Sequence, residues 1–174
     1  MEQLLILVDD QDREIGTETK SIIHQQGLLH RAFSIFLFNQ QGEMLLQKRA
    51  DSKYHSAGLW TNACCSHPNV RENLDAAAQR RLKEELGIST PLKELFTFTY
   101  RAEFGNGMIE HEFDHVFVGN YTGDLLVNPT EISDWRYVNM RSLQRSVNES
   151  PEQFTIWFRL AFPRILQWWE QNRT

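Results

Sequence analysis

The chain has almost no sulfur available for cross-linking: it carries two cysteines, Cys64 and Cys65, and they are neighbours. Adjacent cysteines do not close an ordinary structural bridge on each other. A disulfide scaffold is thereby excluded, and reduced thiols in a cytoplasmic protein are expected. Long hydrophobic runs are also missing. The apolar run near the N-terminus, "LLILV", is far too short to cross a bilayer. It has no cationic head before it and no small-residue cleavage site after it, so a secretory signal is not expected. A basic surplus is absent as well: 18 Lys and Arg stand against 23 Asp and Glu, for a net charge of -5. General nucleic-acid binding is therefore not expected, although a few local basic residues can still hold one small anion. There is no internal repeat, low-complexity tract or linker. With 174 residues, 41% of them hydrophobic and 24% charged, the chain reads as one domain over 1–174 with a sizeable core.

What is present is a set of short, patterned segments. "LLILV" reads as a strand over 4–8 that runs into a polar turn. "RAFSIFLFNQQGEMLLQKRA" reads as a hairpin, with strands over 33–38 and 44–47 around "NQQG". "LWTNACCS" reads as one further short strand. "NLDAAAQRRLKEELG" is the clearest helix, with Leu74, Ala78, Leu82 and Leu86 repeating every four residues and Gly87 as the stop. "LFTFTYRAEF" and "IEHEFDHVFVGNY" alternate like two strands joined at "GNG", 105–107. "EISDWRYVNM" adds a strand, and the aromatic stretch 151–169 reads as one or two helices. Mostly hairpin-connected strands with few helices predict an α+β fold, a mixed sheet with helices over its faces.

Strand alternation sorts the chemistry, because residues i and i+2 share a face. In an extended "ACCSH", Cys65 and His67 face one way and Cys64 and Ser66 the other. In "IEHEFDH", Glu110 and Glu112 share a face with His111 opposite. His24 and His30 flank "QQGLL" just before the hairpin. Together His24, His30, His67, Glu110 and Glu112 make a nitrogen- and oxygen-rich set that suits zinc, manganese or iron(II) in six-coordinate geometry.

From Ser66 onward the spacing resembles the Nudix box, a glycine and a spaced series of glutamates ending in Arg-Glu-aliphatic-x-Glu-Glu-x-Gly-aliphatic. Glu72, Arg80, Leu82, Glu84, Glu85, Gly87 and Ile88 match it. Ser66 replaces the glycine and Arg81 replaces a glutamate. In the hydrolases that share the box, those glutamates gather divalent cations around a diphosphate. Arg81 removes one ligand and adds a cation. Arg81 and Glu85, at i and i+4, can grip a diphosphate instead, Arg81 directly and Glu85 through Mg²⁺. Basic residues gather upstream at Lys20, Arg31, Lys48, Arg49 and Lys53. Arg49 and Lys53 stand close enough to "GLWTN" to complete an anion pocket, whereas Lys48 reads as solvated surface.

"GLLHRAFSIFLFN", "WTNACCSHP", "RRLKEELG", "YRAE" and "IEHEFDHVF", in this order, resemble the type I isopentenyl-diphosphate isomerases over nearly the whole chain. The resemblance implies a Nudix-like fold, a mixed β-sheet sandwiched between helices. It also implies interconversion of isopentenyl and dimethylallyl diphosphate, by adding a proton at one carbon and removing one from another. It carries over Cys65 and Glu112 as the catalytic pair, and Tyr100 as a tyrosine bonded near the catalytic carboxylate. His24, His30, His67, Glu110 and Glu112 become the ligands of one Zn²⁺ or Mn²⁺, and Glu85 the contact to Mg²⁺ bound with the substrate diphosphate. Lys20, Arg49, Lys53 and Arg81 become the anion clamp, and Trp157 an aromatic beside the carbocation. Cys64 matches a neighbour of no established role. The expected partner is a small prenyl diphosphate, with no nucleic acid and no membrane, and a monomer is expected.

Two other readings give the same motifs different work. A Nudix hydrolase of nucleoside diphosphate derivatives uses the box, but the arginine at 81 counts against it. A non-catalytic metal-binding or diphosphate-sensing module explains the ligands but leaves the pairing of Cys65 with Glu112 without purpose.

Overall fold

The computed structural model describes residues 1–173. Among the described residues nine strands form one mixed sheet. Strands β1 (Leu4–Val8) and β2 (Glu14–Thr19) form an antiparallel hairpin that leads into α1 (Lys20–Gln26). The central strand, β3 (His30–Phe38), runs parallel to β8 (Ile109–Asn120), from His30 opposite Glu112 to Phe38 opposite Asn120. Along its other edge β3 meets β1 at His30, then β6 (Cys64–Ser66), and finally β4 (Met44–Arg49) at Phe38. Strand β4 also pairs with β5 (Trp60–Thr61) and β9 (Ile132–Val138), and β7 (Leu92–Glu103) pairs with β8.

Helix α2 (Leu74–Leu86) forms where its four-residue apolar repeat predicts. The Asn73 side chain accepts hydrogen bonds from the backbone N–H groups of Asp75 and Ala76, which satisfies donors left open in the first turn. Gly87 ends the helix at φ 69°, and a Cβ there would stand 2.8 Å from Leu126 Cβ, so glycine is needed twice over. Ala77, Ala78, Leu82 and Leu86 bury one stripe of α2 against Phe33, Ile35, Leu37 and Phe117. On the other face, Phe36, Phe38, Met44, Leu46, Val116 and Val118 pack under α3 (Met140–Glu149) and α4 (Ile156–Asn172). The mixed sheet between helices is the expected α+β architecture.

Several boundaries differ from those read in the sequence. The polar turn after residue 8 contains β2 and then α1, whose seven residues carry no apolar repeat long enough to announce a helix. "LWTNACCS" is two strands, broken at Asn62 and Ala63 because the Asn62 amide turns inward to donate to the carbonyls of Ile35 and Cys64. The hairpin reading undercounted parallel pairing, which is the longest contact β3 makes. "EISDWRYVNM" stops as a strand at Val138, where Asn139 caps α3 instead. The final segment is a single 3₁₀ turn, Pro151–Gln153, followed by α4. Among the described residues no helix is long and apolar enough to cross a membrane.

Candidate active site

The alternation predicted for β6 and β8 is what assembles the site. Cys64 is fully buried in the core under α2, while Cys65 and His67 line a cavity of about 190 Å³. Both cysteines are free. Ser66, expected on the face of Cys64, also reaches that cavity, because it lies at the end of the strand. Glu110 and Glu112 line it from β8. His30 opposes Glu112 across the parallel pair, and Ser34 opposes Cys65 across the antiparallel one.

His24, His30, His67, Glu110 and Glu112 do come together. The nearest ligand atoms of His30, His67, Glu110 and Glu112 all lie within 4.8 Å of one another, and His24 joins through Glu110. His67 Nε2 is 3.0 Å from Glu112 Oε2, and His30 Nε2 is 3.2 Å from His67 Nε2. Helix α1 delivers His24, and Gly27 turns the chain back toward β3 at φ 67°. A Cβ on Gly27 would stand 2.9 Å from Ile109 Cγ2, so the turn that spaces His24 from His30 requires glycine.

These residues fit a divalent cation. His24 Nδ1–H is donated to Lys20 O at 2.6 Å and His30 Nδ1–H to Leu28 O at 2.9 Å, which leaves each Nε2 lone pair free for a metal. Burial holds the His24 imidazole below its ordinary pKa and pushes His30 down to about 4, so both are neutral, as ligands must be. His24 Nε2 and Glu110 Oε1 face each other in the interior, yet among the described residues neither has an aligned hydrogen-bond partner. Burial and the charge of Glu112 push the Glu110 carboxyl well above the usual range. Burial acts on Glu112 in the same sense but is outweighed first by the hydrogen bond from His67, which holds its carboxyl below the usual range. The cluster is short of positive charge, and a cation supplies it.

Cys65 is the other reactive group. Burial, and next the charge of Asp114, push its thiol up to about 12, so at neutral pH it carries its proton. It is thus suited to give a proton rather than to attack as a thiolate. Trp157, in the first turn of α4, donates from Nε1 to Cys65 Sγ at 3.1 Å. The family resemblance implies Trp157 beside a carbocation; this bond, and the Arg49 guanidinium 5.2 Å from the centre of its ring, come from the fold. The Tyr100 hydroxyl donates to Glu112 Oε1, and burial followed by the charge of Glu112 keeps that phenol protonated.

Lys20, Arg49, Lys53, Arg81 and Glu85 line the same cavity. Arg81 pairs with both Glu84 and Glu85, and burial raises the Glu85 carboxyl while the Arg81 charge opposes it. Burial, and then the charge of Lys53, lower the Lys20 ammonium. Arg31 does not join the anion pocket, because Asp12 and Glu14 hold its guanidinium on the outside of the sheet.

Six lining residues lie outside the sequence expectations: Gln3, Gln47, Tyr54, His55, Thr61 and Glu131. Glu131 bridges Lys53 and Arg81. Gln47 donates to Glu85 Oε2 at 3.3 Å. Tyr54 stands edge-on to His24 and His55. His55 lies with Nε2 3.8 Å from Glu110 Oε1 and its ring stacked on Phe104. Its loop, "KYHSAG", has no periodicity to give it a face, so the only available signal was its histidine identity.

The family model of the NUDIX domain matches residues 28–158. Isopentenyl-diphosphate Delta-isomerase 1 of Aromatoleum aromaticum is 51% identical over 174 residues, covering 100% of this chain and 98% of that one. Isopentenyl-diphosphate Delta-isomerase 2 of Photorhabdus laumondii is 49% identical, covering 97% and 98%. The isopentenyl-diphosphate Delta-isomerase of Serratia proteamaculans is 52% identical, covering 91% and 88%. Among solved structures, DR0079 of Deinococcus radiodurans superposes with a TM-score of 0.78 at 18% identity, covering 93% of this chain and 98% of that one. A MutT protein of Methanosarcina mazei gives 0.65 at 20% identity, covering 83% and 96%. Those two likenesses establish the fold, and the curated relatives establish the rest: the chain belongs to the type I isopentenyl-diphosphate Delta-isomerases, enzymes built on the NUDIX domain.

Proposed function

We propose that the protein interconverts isopentenyl diphosphate and dimethylallyl diphosphate, with Cys65 and Glu112 as the two proton carriers. The observation that carries this reading is their meeting, from separate strands, on one cavity that Lys20, Arg49, Lys53 and Arg81 also line. In the forward direction Cys65 gives its proton to the terminal methylene carbon. The π bond opens, and positive charge develops at the tertiary carbon. Glu112 takes a proton from the adjacent CH₂, whose C–H pair becomes the new double bond. The return reaction reverses both transfers. General acid–base catalysis of this kind contributes about 10²–10⁴-fold for each positioned group.

Lys20, Arg49, Lys53 and Arg81 hold the diphosphate and so fix the distance from the anion to the reacting carbons. When bound, a zinc or manganese ion in the His–Glu cluster and a magnesium ion at Glu85 supply fixed positive charge, the first orienting the carboxylates and the second neutralising the diphosphate. Tyr100 holds Glu112 from the side away from His67 and shapes its basicity. Trp157 offers π density to the cation, worth about 0.5–2 kcal/mol, and steadies the Cys65 sulfur. The free thiols support a cytoplasmic setting, and action as a single-domain monomer on a small prenyl diphosphate is part of this reading.

The test is product analysis. Isopentenyl diphosphate incubated with the protein, Mn²⁺ or Zn²⁺, and Mg²⁺ is expected to give dimethylallyl diphosphate with both phosphorus signals intact by ³¹P NMR. Glu85→Gln is expected to raise the Mg²⁺ needed for half-maximal rate by about tenfold, the loss of one charged ligand. Release of inorganic phosphate or diphosphate without the isomer would replace this reading with the hydrolase.

A further inference from the structure

Cys65 and Glu112 do not exhaust the reactive face of the sheet. Two more polar side chains lie on it, Ser34 on β3 and Asp114 on β8, each only 2% exposed. Neither touches the cavity, and neither is a proton carrier in the acid–base steps. Burying a hydroxyl and a carboxyl in a sheet interior is costly unless they bond to each other or to something that matters. Here they bond to each other: Ser34 Oγ donates to Asp114 Oδ2 at 2.7 Å. Asp114 Oδ1 has no partner among the described residues, so Ser34 is the dedicated partner of that carboxyl.

The other side of Ser34 faces the thiol. Residues 34 and 65 are directly paired in the β3–β6 ladder, and Cys65 Sγ lies 3.6 Å from Ser34 Oγ. A second acceptor, Asn62 Oδ1, lies 3.2 Å from the same sulfur and is fixed because the Asn62 amide donates to two backbone carbonyls. With the Trp157 indole N–H as donor at 3.1 Å, the sulfur has partners on three sides. A thiol is a weak donor that rotates freely about its Cβ–S bond. Only such a set of fixed partners can hold its proton in one direction.

We propose that Ser34, held in place by Asp114, is a positioning residue that sets the rotamer of the Cys65 side chain and the direction of its S–H. The proposal rests on the assignment of Cys65 as a proton carrier. It adds that the Cys65 geometry is determined from behind, by a buried hydroxyl whose own position is set from the next strand. On the Cys65 rotamer Asp114 acts through Ser34, so what position 114 must supply for that role is an acceptor; its charge acts separately, on the proton affinity of the thiol.

The decisive measurement reads the thiol directly and does not depend on which reaction occurs. The S–H stretching band falls where other protein groups do not absorb. In a Cys64→Ala background the Cys65 band stands alone. Ser34→Ala is expected to shift and broaden that band, Ser34→Thr to restore it, and Asp114→Asn, which keeps an acceptor for Ser34, to leave it in place. Asp114→Val is expected to reproduce the Ser34→Ala spectrum, with no further change in the double variant. In the isomerase assay Ser34→Ala is expected to lower kcat about 10- to 10²-fold with KM within about twofold, the signature of a misplaced reacting group. A Cys65 band unmoved by Ser34→Ala overturns the proposal. So does a moved band with wild-type kcat, or a loss that Ser34→Thr fails to restore. Absence of isomerase activity in the wild type would remove the proposed reaction, yet the band would still decide whether Ser34 and Asp114 set the thiol.

Discussion

Replacing Cys65 with alanine is expected to lower kcat/KM for isopentenyl diphosphate by at least about 10³-fold, while metal content and the circular dichroism spectrum stay as in the wild type. The size follows from what is removed. The reaction creates charge at an unactivated alkene carbon, and alanine leaves no proton donor at that end of the cavity. Fold retention follows from the surroundings. Cys65 is only partly buried and sits on a three-residue strand, while its neighbour Cys64 supplies the packing under α2. The Trp157 N–H loses its acceptor in the variant, at a cost of about 1–3 kcal/mol, which leaves most of a domain's stability intact. Steady-state kinetics of purified Cys65→Ala beside the wild type reads the effect. Retention of more than a tenth of the wild-type activity would assign the proton donor elsewhere.

The second large effect is metal removal. Chelation is expected to abolish turnover and to lower Tm, and stoichiometric Mn²⁺ or Zn²⁺ to restore both. A cation at 100–1,000 times its Kd adds about 2.7–4.1 kcal/mol to stability, which for a domain of this size is a Tm shift on the order of 5–15 °C. The loss should steepen in acid, for two reasons with the same sign. Protons compete with the cation for the imidazoles and carboxylates, so binding weakens as pH falls. In the metal-free protein burial pushes His30 down to about 4 from an ordinary 6.5. Between those values the unfolded chain binds a proton that the folded one refuses, so stability present above about pH 6.5 is lost as pH drops toward 4. Calorimetry of holo and chelated protein at pH 7.5 and pH 5 reads both contributions. Equal Tm values with and without the cation at pH 7.5 would remove the His–Glu cluster as a metal site.

Much of the site was legible because strand alternation is a strict rule. Cys65 with His67, and Glu110 with Glu112, needed only a period of two, and the parallel register of β3 and β8 then carried His30 to Glu112. Helix α2 was legible because its apolar repeat, Asn73 and Gly87 all agree. What sequence could not show was register between strands far apart in the chain. That hid Ser34 behind Cys65 and Asp114 behind Ser34, since each reads alone as an ordinary strand residue. His55 and Glu131 were missed for a different reason: loop residues have no period, and they reach the cavity only through the path of the chain around it. Helix α1 is seven residues long and stands by packing rather than by propensity. Helix α3 was missable for less reason, because Met140, Leu143 and Val147 mark one face behind the Asn139 cap.

The central claim is that two side chains carry protons to and from carbon, and solvent deuterium tests it most directly. The wild type, given isopentenyl diphosphate and both metals in D₂O, should form dimethylallyl diphosphate with a CH₂D methyl group visible by proton NMR. Cys65→Ala and Glu112→Gln should form none. Dimethylallyl diphosphate made without deuterium, or made equally by either variant, would contradict the account.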